Sequence, residues 1–403
     1  MAAPLSNIRV LDMSRVLAGP WAGQLLGDYG ADVVKIERPG SGDDTRRWGP
    51  PWLAGQVNGE SAYFVSTNRN KRSVTVNIAE PDGQRVIRDL AAHADVLLEN
   101  YKVGTLQRFG LGPDELRAIN TRLIYCSISA FGQTGSRAAE PGYDAMIQAS
   151  AGLMSITGPA DDSGGSPQKV GVAIADIMAG MYATTAVLAA LNNRAVTGQG
   201  QTIDVPLYDS QVAWLANQNM NYLVGGDVPK RMGTAHPNLV PYQAFSTSDG
   251  DLMLAVGNDR QFAACAECVG LPGLATEKRF EHNSVRIANR VELIDILQSV
   301  LKGQTTAHWL KEFNDRGVPA GPINTIETVL TNSHAEERGL VRQVRNSLGQ
   351  EVPTVSNPVE FSDTAVSYEK APPLLGEHTE EVLREWLGYS REMIAELRDR
   401  SAI

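Results

Sequence analysis

Apolar residues in the first 135 positions alternate between two spacings, one typical of strands and one typical of helices. Helical spacing occurs around Trp21–Tyr29 and from Pro81 to about Ala94. Such alternation predicts a parallel sheet covered by helices, and in open sheets of this kind ligands bind beyond the carboxyl ends of the strands. The predicted strands, each a short apolar or alternating run, are Ile8–Met13, Ala31–Glu37, Ser73–Ile78, Asp95–Asn100 and Leu123–Ala130.

The pattern after residue 135 changes twice. Asp176–Asn193 is apolar nearly all round and predicts a buried helix. Gly225–Gly250 is rich in Gly, Pro and polar residues, which predicts a linker with a long loop. A second strand–helix region follows, and the tail carries a helix signal at Glu377–Trp386 with Thr379 as its cap. The other predicted elements are Thr202–Pro206, Tyr208–Leu223, Leu252–Val256, Gln261–Cys268, Ala288–Lys302 and Thr306–Asp315.

These elements predict an α/β fold with two domains. Residues 1–205 form a Rossmann-like parallel sheet domain that is completed by residues 335–403. Residues 206–225 form a linker helix, and residues 226–330 form a smaller α/β domain. The chain of 403 residues, 42% of them hydrophobic, is long enough to bury two such cores.

The net charge and the cysteine content limit which partners and which cellular compartment we expect for this protein. The formal net charge of −10 argues against nucleic acid and anionic membrane as partners, because like charges repel. The N-terminus lacks a secretory signal and no run of about 18 apolar residues is evident, so we expect a cytoplasmic protein without a membrane span. Cys265 and Cys268 form a C-x-x-C, which is either a redox pair or two buried helical cysteines, and we expect no metal site.

The turn after the first predicted strand does not carry a dinucleotide signature. It reads SRVLAGPWAGQ, whose glycines are spaced G-x-x-x-G and are interrupted by Pro20. Neither G-x-G-x-x-G nor G-x-x-x-x-G-K-[ST] is present in this turn, so neither nucleotide motif explains it. Its backbone N–H groups can still face an anion.

An ordered set of segments along the whole chain resembles another family, the class III CoA-transferases of the CaiB–BaiF type, which include formyl-CoA transferase. No single segment is decisive, and the order of the set carries the resemblance. The matching segments are RVLAGP (Arg15–Pro20), VVKIERPGSGDDTR (Val33–Arg46), NRNKRSV (Asn68–Val74), DVLLENY (Asp95–Tyr101), AFGQTG (Ala130–Gly135), PGYD (Pro141–Asp144), ADIMAGMYA (Ala175–Ala183), GVPAGPI (Gly317–Ile323) and PPLLGEHT (Pro372–Thr379).

The resemblance implies that Asp176 is a nucleophile. It begins the apolar helix, whose N-terminus favours a carboxylate and whose N–H groups can steady an oxyanion. Read without the family, Asp176 is a helix N-cap. The implied reaction passes through an aspartyl anhydride and an aspartyl-CoA thioester, with coenzyme A or acyl-CoA as substrate and no permanently bound cofactor.

Coenzyme A contacts follow from the same resemblance. It implies contacts from the first turn, from the region after the second strand and from the region after the fourth. A guanidinium group can hold a phosphate through two parallel hydrogen bonds, although each arginine taken singly also fits a solvated surface position. Two lysines that contact coenzyme A in the formyl-CoA member are here Ala79 and Pro141, so some phosphate contacts must differ. The implied residues are Val16, Leu17, Ala18, Arg38, Asn100, Tyr101 and Arg108.

Tyr143 distinguishes two branches of the family. The transferase branch has a tyrosine in this motif, whereas the related α-methylacyl-CoA racemases have a histidine that acts as acid and base. A phenol with a reference pKa near 10 is poorly suited to that task, so Tyr143 favours transfer. The reading without the family is a buried aromatic residue with a satisfied hydroxyl group.

The segment Lys230–Phe245 lacks the glycine-rich lid of the formyl-CoA member. Together with RRWGPP (Arg46–Pro51) it looks most like members of the succinyl-CoA:glutarate type. A buried distal carboxylate needs a partner, and Arg46, Arg231 and His236 are the candidates, although a histidine in a loop is often simply exposed.

We therefore expect a homodimeric CoA-transferase that acts on an acyl-CoA, with succinyl-CoA as the expected donor, and a dicarboxylic acid. The family implies interlocked dimers. Two alternatives stay open at this point, an α-methylacyl-CoA racemase or isomerase and a coenzyme A-binding protein without turnover.

Overall fold

The computed structural model describes residues 3–55 and 59–403. The chain folds into two compact units, the larger made of Met1–Leu153, Val170–Gly226 and Ser333–Ile403, and the smaller of Met154–Lys169 and Asp227–Asn332. Residues 206–225, where the sequence predicts a linker, group with the larger unit, and residues 154–169 group with the smaller one.

Strands and helices alternate through most of the larger unit. The strands are β1 (Arg9–Asp12), β2 (Asp32–Glu37), β3 (Lys71–Thr75), β4 (Val96–Glu99), β5 (Ile124–Ser129), β6 (Thr202–Pro206), β7 (Tyr242–Ser246), β8 (Asp251–Ala255), β9 (Ala320–Pro322), β10 (Val341–Arg345) and β11 (Glu351–Val355). Short 3₁₀ turns lie at Asp44–Arg47, Leu53–Gly55, Gln107–Phe109, Asp161–Ser163 and Pro272–Thr276.

The helices vary from one turn to 24 residues. They are α1 (Ala18–Asp28), α2 (Ala62–Val65), α3 (Pro81–His93), α4 (Pro113–Ile119), α5 (Asp144–Ser150), α6 (Leu153–Ile156), α7 (Ile174–Thr197), α8 (Leu207–Trp214), α9 (Asn217–Gly225), α10 (Asp259–Cys268), α11 (Asn283–Ala288), α12 (Arg290–Leu301), α13 (Thr306–Asp315), α14 (Ile326–Thr331), α15 (Ser333–Glu337), α16 (Thr379–Leu387) and α17 (Arg391–Asp399).

A six-stranded parallel sheet forms the centre of the larger unit, as the sequence predicts. Its strand order is β3-β2-β1-β4-β5-β6. The chain therefore builds outward from β1 in one direction and from β4 in the other. The reversal places a crevice at the carboxyl ends of β1 and β4, where open α/β sheets bind their ligands.

Each face of this sheet has its own core. Val10 and Leu11 are neighbours in β1 and are fully buried, yet they belong to different apolar clusters because strand side chains alternate. On one face lie α3, α16 and α17, and on the other lie α1 and α7. Helices therefore cover both faces of the parallel sheet, as the sequence predicts. The C-terminal residues of α16 and α17 complete the core on one of these faces.

Gly180 lies where α7 approaches α1 closely. A Cβ atom at Gly180 would lie 2.6 Å from the carbonyl oxygen of Ala18 and 3.1 Å from the ring of Trp21. Only a residue without a side chain fits between these helices at this distance, so Gly180 sets the position of both helix starts.

The smaller unit has a three-stranded antiparallel sheet in the order β7-β8-β9. Its core joins the sheet to α10, α12 and α13, with Phe262, Phe313 and Leu297 at the centre. Cys265 lies in this core and is buried, and the peptide oxygen of Glu312 accepts a hydrogen bond from Cys268 at 3.4 Å. Both cysteines lie in α10, as the reading of two buried helical cysteines requires, but only Cys265 is buried and Cys268 is half-buried.

Three local expectations need correction. β7 lies inside Gly225–Gly250, which was predicted to be linker and loop. The predicted helix Tyr208–Leu223 is two helices, because Ala216 has a φ of 48° and breaks it. The N-cap of α16 is His378 and not Thr379. Among the described residues one helix, α7, is long and apolar enough by length and composition to cross a membrane, and the same helix forms part of the core on one face of the sheet.

Candidate active site

A cleft of about 430 Å³ opens at the carboxyl ends of β1, β4 and β5. This is the place that the strand order predicts for a ligand. Its wall brings together seven of the residues singled out in the sequence, namely Val16, Leu17, Ala18, Asn100, Tyr101, Tyr143 and Asp176. The remaining wall residues are Arg15, Asp44, Lys102, Val103, Ile128, Ser129, Ala130, Ala138, Ala139, Glu140, Pro141, Gly142 and Leu207.

Asp176 lies in the first turn of α7, three residues after the N-cap Ala173. It is therefore not the N-cap, which removes that alternative reading. The capping carboxylate comes from Asp144 at the start of α5, which accepts hydrogen bonds from the backbone N–H groups of Ala175 at 2.8 Å and Asp176 at 3.4 Å. Asp144 thus does for α7 what a local cap residue usually does.

The start of α7 does not offer free N–H groups for an oxyanion. The N–H groups of Ala175 and Asp176 bond to Asp144, and those of Ile174 and Ile177 bond to backbone carbonyls. The expectation that this helix start steadies an oxyanion is therefore not met in the structure, because the donors are already engaged.

The carboxylate of Asp176 is short of stabilising contacts. Among the described residues no donor gives it a hydrogen bond, and its nearest charged influence is another acid. Burial, and secondly the charge of Asp144, raise the pKa of Asp176 to about 7 from 3.8. A carboxylate that is neither hydrogen-bonded nor paired with a cation keeps its electron pairs available for attack on an electrophile.

The turn between β1 and α1 is held from beneath by a buried ion pair. The ammonium group of Lys35 lies 2.9 Å from Asp43 and donates a hydrogen bond at 2.9 Å to the carbonyl of Ser14. Both oxygens of Asp43 accept from the N–H of Val16, each at 3.2 Å. Val16 has a φ of 70°, a conformation that is costly for a β-branched residue, so the ion pair holds the turn in a strained form.

Asn100 fixes the same turn from the side of β4. Its side-chain oxygen accepts from the N–H of Arg15 at 2.8 Å, and its amide donates to the carbonyl of Arg15 at 2.7 Å. The guanidinium group of Arg15 then lies over the ring of Tyr101, 5.0 Å from its centroid. Asn100 and Tyr101 thus position Arg15 in the cleft wall.

The two arginines that the sequence predicts to bind coenzyme A, Arg38 and Arg108, lie outside this wall. Arg38 is half-exposed and pairs with the wall residue Asp44 at 2.6 Å. Arg108 is an exposed side chain whose guanidinium lies 3.5 Å from the hydroxyl of Thr105. Arg38 is therefore one residue removed from the cleft, and the cations in the wall itself are Arg15 and Lys102.

Arg46 is engaged in the protein interior. It forms two hydrogen bonds with Glu37, at 2.8 and 2.7 Å, and one with Glu60 at 2.7 Å. Its guanidinium also covers the ring of Phe64 at 3.7 Å. These partners argue against Arg46 as a free cation for a substrate carboxylate, because each would have to be given up on binding.

Arg231 and His236 both lie in the smaller unit. Arg231 pairs with Asp161 and donates to the carbonyl of Pro159 at 3.2 Å. His236 accepts from the N–H of Asn238 at 3.0 Å, and burial together with nearby Arg290 lowers the pKa of His236. A lowered pKa keeps the imidazole neutral at pH 7, so His236 adds no charge toward a carboxylate.

Sequence reasoning missed two residues beside Asp176. Asp144 belongs to the PGYD segment, but nothing in the sequence shows that it caps a helix 30 residues later. Tyr63 was not singled out, yet burial and then the charges of Asp176 and Asp144 raise its pKa, which places its phenol within electrostatic reach of both. Tyr143, which was singled out, is mostly exposed and leads into α5.

The family model described as CoA-transferase family III matches residues 5–379. The chain is 45% identical to the succinyl-CoA:glutarate CoA-transferase of Mus musculus, over 98% of this chain and 89% of the relative. It is 46% identical to the succinate–glutarate CoA-transferase of Agrobacterium fabrum, over 95% of each. A CaiB/BaiF family protein from Brucella suis has the same fold, with a TM-score of 0.84, 45% identity, and coverage of 96% of this chain and 100% of that one. These matches confirm the resemblance seen in the sequence.

Proposed function

Since the chain belongs to CoA-transferase family III, we propose that it moves coenzyme A from succinyl-CoA to a dicarboxylic acid such as glutarate, with Asp176 as nucleophile. The relatives named for succinate and glutarate, 44–46% identical to the chain, support this choice of substrates. The observation that carries the mechanism is a reactive carboxylate, without hydrogen bonds from the described residues, in the wall of the ligand cleft.

The proposed reaction proceeds in four acyl transfers. A carboxylate oxygen of Asp176 attacks the thioester carbon of succinyl-CoA, the C–S bond breaks, and the products are a mixed anhydride and coenzyme A thiolate. The thiolate attacks the aspartyl carbonyl and releases succinate, leaving an aspartyl-CoA thioester. The acceptor carboxylate then displaces the thiolate, and the thiolate finally attacks the acceptor carbonyl, which frees Asp176.

Coenzyme A binding falls to the wall of the cleft. Val16, Leu17 and Ala18 present the strained first turn to the ligand, and Tyr101 contributes to the wall beneath the guanidinium of Arg15. Arg38 and Arg108 remain proposed phosphate contacts from outside the wall, and Tyr143 remains a proposed catalytic group at the mouth of the cleft. A phenol in that position favours transfer over racemisation.

Acceptor recognition is assigned to Arg231 rather than to Arg46 or His236. The guanidinium of Arg231 is held by one exposed acid, Asp161, and by the carbonyl of Pro159, whereas that of Arg46 is held by two carboxylates in the interior. The lowered pKa of His236 disfavours its charged form. An arginine fork matches the distal carboxylate of a dicarboxylic acid. We therefore expect C4–C6 dicarboxylates to be preferred to monocarboxylates of equal length.

A single assay tests the proposal. Succinyl-CoA is offered with glutarate, adipate, butyrate, formate and oxalate, and the acyl-CoA products are identified by mass. We expect glutaryl-CoA as the main product with the wild-type chain and no product with Asp176→Asn, which keeps the size but not the nucleophile. Equal yields from butyrate and glutarate would contradict the dicarboxylate assignment, and turnover by Asp176→Asn would contradict the mechanism.

We also infer a homodimer that acts in the cytoplasm. Apolar side chains on α7 and α9 are exposed, including Tyr182, Leu223 and Val224, and α9 has no buried residue. A second copy of the chain can cover these faces, and the interlocked dimers of the family provide the arrangement. The apolar composition of α7 then serves the sheet core on one side and the partner on the other.

A further inference from the structure

We propose that Asp44 is an internal competitor for the phosphates of coenzyme A. Its carboxylate holds the guanidinium groups of Arg15 and Arg38, and a phosphate of the ligand takes its place on both. This inference rests on the proposed function, because it identifies the phosphate-binding cations of the same cleft and the residue that sets their affinity.

The cleft wall carries more acidic than basic side chains, although the proposed ligand is an anion. Two basic residues, Arg15 and Lys102, face three acids, Asp44, Glu140 and Asp176. Asp176 is the proposed nucleophile, and Glu140 pairs with Arg137 at 3.0 Å. Asp44 is the acid without a catalytic task, in a cleft that has to accept several phosphate charges. An acid in that place disfavours the ligand unless it performs another function.

Arg15 has the geometry of a cation that is ready for an anion. Its backbone is clamped by Asn100 on both sides, and its guanidinium lies over Tyr101. Its Nε atom is buried and has no hydrogen-bond partner among the described residues. Its Nη1 atom lies 3.6 Å from Asp44, too far for a hydrogen bond. The group is thus positioned by its neighbours but only loosely neutralised.

Asp44 links this cation to a second one. Its Oδ1 atom lies 2.6 Å from Nη2 of Arg38, and its Oδ2 atom is the one that faces Arg15. One carboxylate therefore bridges two guanidinium groups, which is the arrangement that a phosphate makes with its own oxygens. The neighbouring Asp43 differs, since it is buried against Lys35 and supports the turn.

A phosphate should displace this carboxylate readily. The side chains of Asp44 and Arg38 are about half exposed, at 46% and 52%, and such ion pairs are weak in water. The 3′-phosphate of coenzyme A carries up to two charges on three acceptor oxygens, and its pyrophosphate carries two charges, so either group offers both guanidinium groups more than a carboxylate does. Asp44 thereby lowers the affinity of the cleft for coenzyme A and its thioesters without blocking the cleft. The lower affinity favours release of the acyl-CoA product.

The test compares ligand binding in Asp44→Asn and in a matched control. Dissociation constants are measured by calorimetry at low ionic strength for coenzyme A, 3′-dephospho-coenzyme A and pantetheine. Asp114→Asn makes the same charge change in α4, away from the cleft wall. We expect Asp44→Asn to bind coenzyme A about three- to tenfold more tightly, with a matching fall in KM for succinyl-CoA, and Asp114→Asn to stay within about twofold of wild type.

The ligand series identifies the phosphate. A gain that is kept with 3′-dephospho-coenzyme A assigns the competition to the pyrophosphate, and a gain that is lost assigns it to the 3′-phosphate. Pantetheine has no phosphate and should bind both variants equally. Unchanged or weaker binding of coenzyme A by Asp44→Asn would overturn the inference, as would an equal gain with pantetheine.

Arg15 is tested in the Asp44→Asn background. Arg15→Met should cancel part of the gain, because Arg38 is then the one guanidinium group of the pair left to bind the phosphate. A gain that is unchanged by Arg15→Met would exclude Arg15 from the phosphate site. The wild-type exchange assay separates the two levels of the proposal. A chain that exchanges coenzyme A normally but shows no effect at Asp44 loses only this inference, whereas a chain that neither binds nor exchanges coenzyme A loses the proposed function.

Discussion

Two carboxylates, those of Asp144 and Asp176, lie at the start of α7, and they differ in the hydrogen bonds that they accept. Asp144 accepts hydrogen bonds from the backbone of Ala175 and Asp176 and from the side chain of Gln148. Asp176 receives none from the described residues and lies in the field of Asp144. Because only the ionised form attacks a thioester, the protonation of Asp176 should control the rate.

The first prediction concerns the pH profile. Burial and Asp144 raise the pKa of Asp176 to about 7, so kcat/KM for succinyl-CoA should rise with pH and level off above about 7. Asp144→Asn removes the second cause and should move the midpoint to lower pH. Asp144→Asn also weakens the hydrogen bond that the Gln148 side chain donates at 2.7 Å, which should lower the free energy of unfolding by about 1 kcal/mol. Superimposable profiles for wild type and variant would show that Asp144 does not act on Asp176.

The same shift in pKa makes a prediction for stability. The folded chain binds a proton at Asp176 more tightly than the unfolded chain, whose pKa is near 3.8. Stability is therefore lost as pH rises from about 4 to about 7, and the loss is complete above that range. Asp176→Asn should raise the free energy of unfolding at pH 8 by about 1–3 kcal/mol and change it little at pH 4. Denaturant melts at the two pH values check this, and an equal effect at both would refute it.

At the scale of the elements, the meeting of α1 and α7 carries a third prediction. Gly180→Ala adds a methyl group 2.6 Å from the carbonyl of Ala18, which belongs to the backbone and cannot rotate away. We expect a loss of about 1–3 kcal/mol despite the better helix propensity of alanine, together with a raised KM for succinyl-CoA, since Ala18 lines the cleft.

A matched glycine provides the control for that variant. Gly273, in the 3₁₀ turn Pro272–Thr276 of the smaller unit, has open space around its would-be Cβ atom. Gly273→Ala should leave the melting temperature and KM nearly unchanged. If Gly180→Ala were as stable as wild type with an unchanged KM, the close approach of the two helices would not matter for the cleft.

The elements also show how far the sequence could predict the structure. Period-two and helical spacing located all six parallel strands, because packing on both faces of a sheet leaves a strong apolar pattern. They missed β7, whose residues are mostly half-buried, and the break at Ala216, whose left-handed φ has no glycine to signal it. Asp176 emerged only through the family resemblance, since the approach of Asp144 is a tertiary contact without a local pattern.

At the scale of the whole molecule, the exposed apolar helices predict a dimer that resists dilution. Leu223 and Val224 on α9 are 69% and 84% exposed. Light scattering after gel filtration should give twice the chain mass of 43.4 kDa. Replacing both residues by Glu should yield monomer or soluble aggregate, whereas Val291→Glu, 75% exposed on α12, should leave the dimer intact. A monomeric wild-type chain would contradict the proposal.

The covering of one sheet face by α16 has a consequence for synthesis on the ribosome. Val382, Leu383 and Trp386 complete the core over α3, and the carbonyl of Ala402 accepts a hydrogen bond from the N–H of Asn77 at 2.8 Å. A nascent chain therefore exposes this apolar face from the emergence of α3 until α16 has been synthesised. The smaller unit, with its sequence finished by Asn332, can fold first, although it is encoded later than most of the parallel sheet. A stop codon before α16 would thus leave the apolar face over α3 exposed, and the truncated chain would become a substrate for chaperones and proteases.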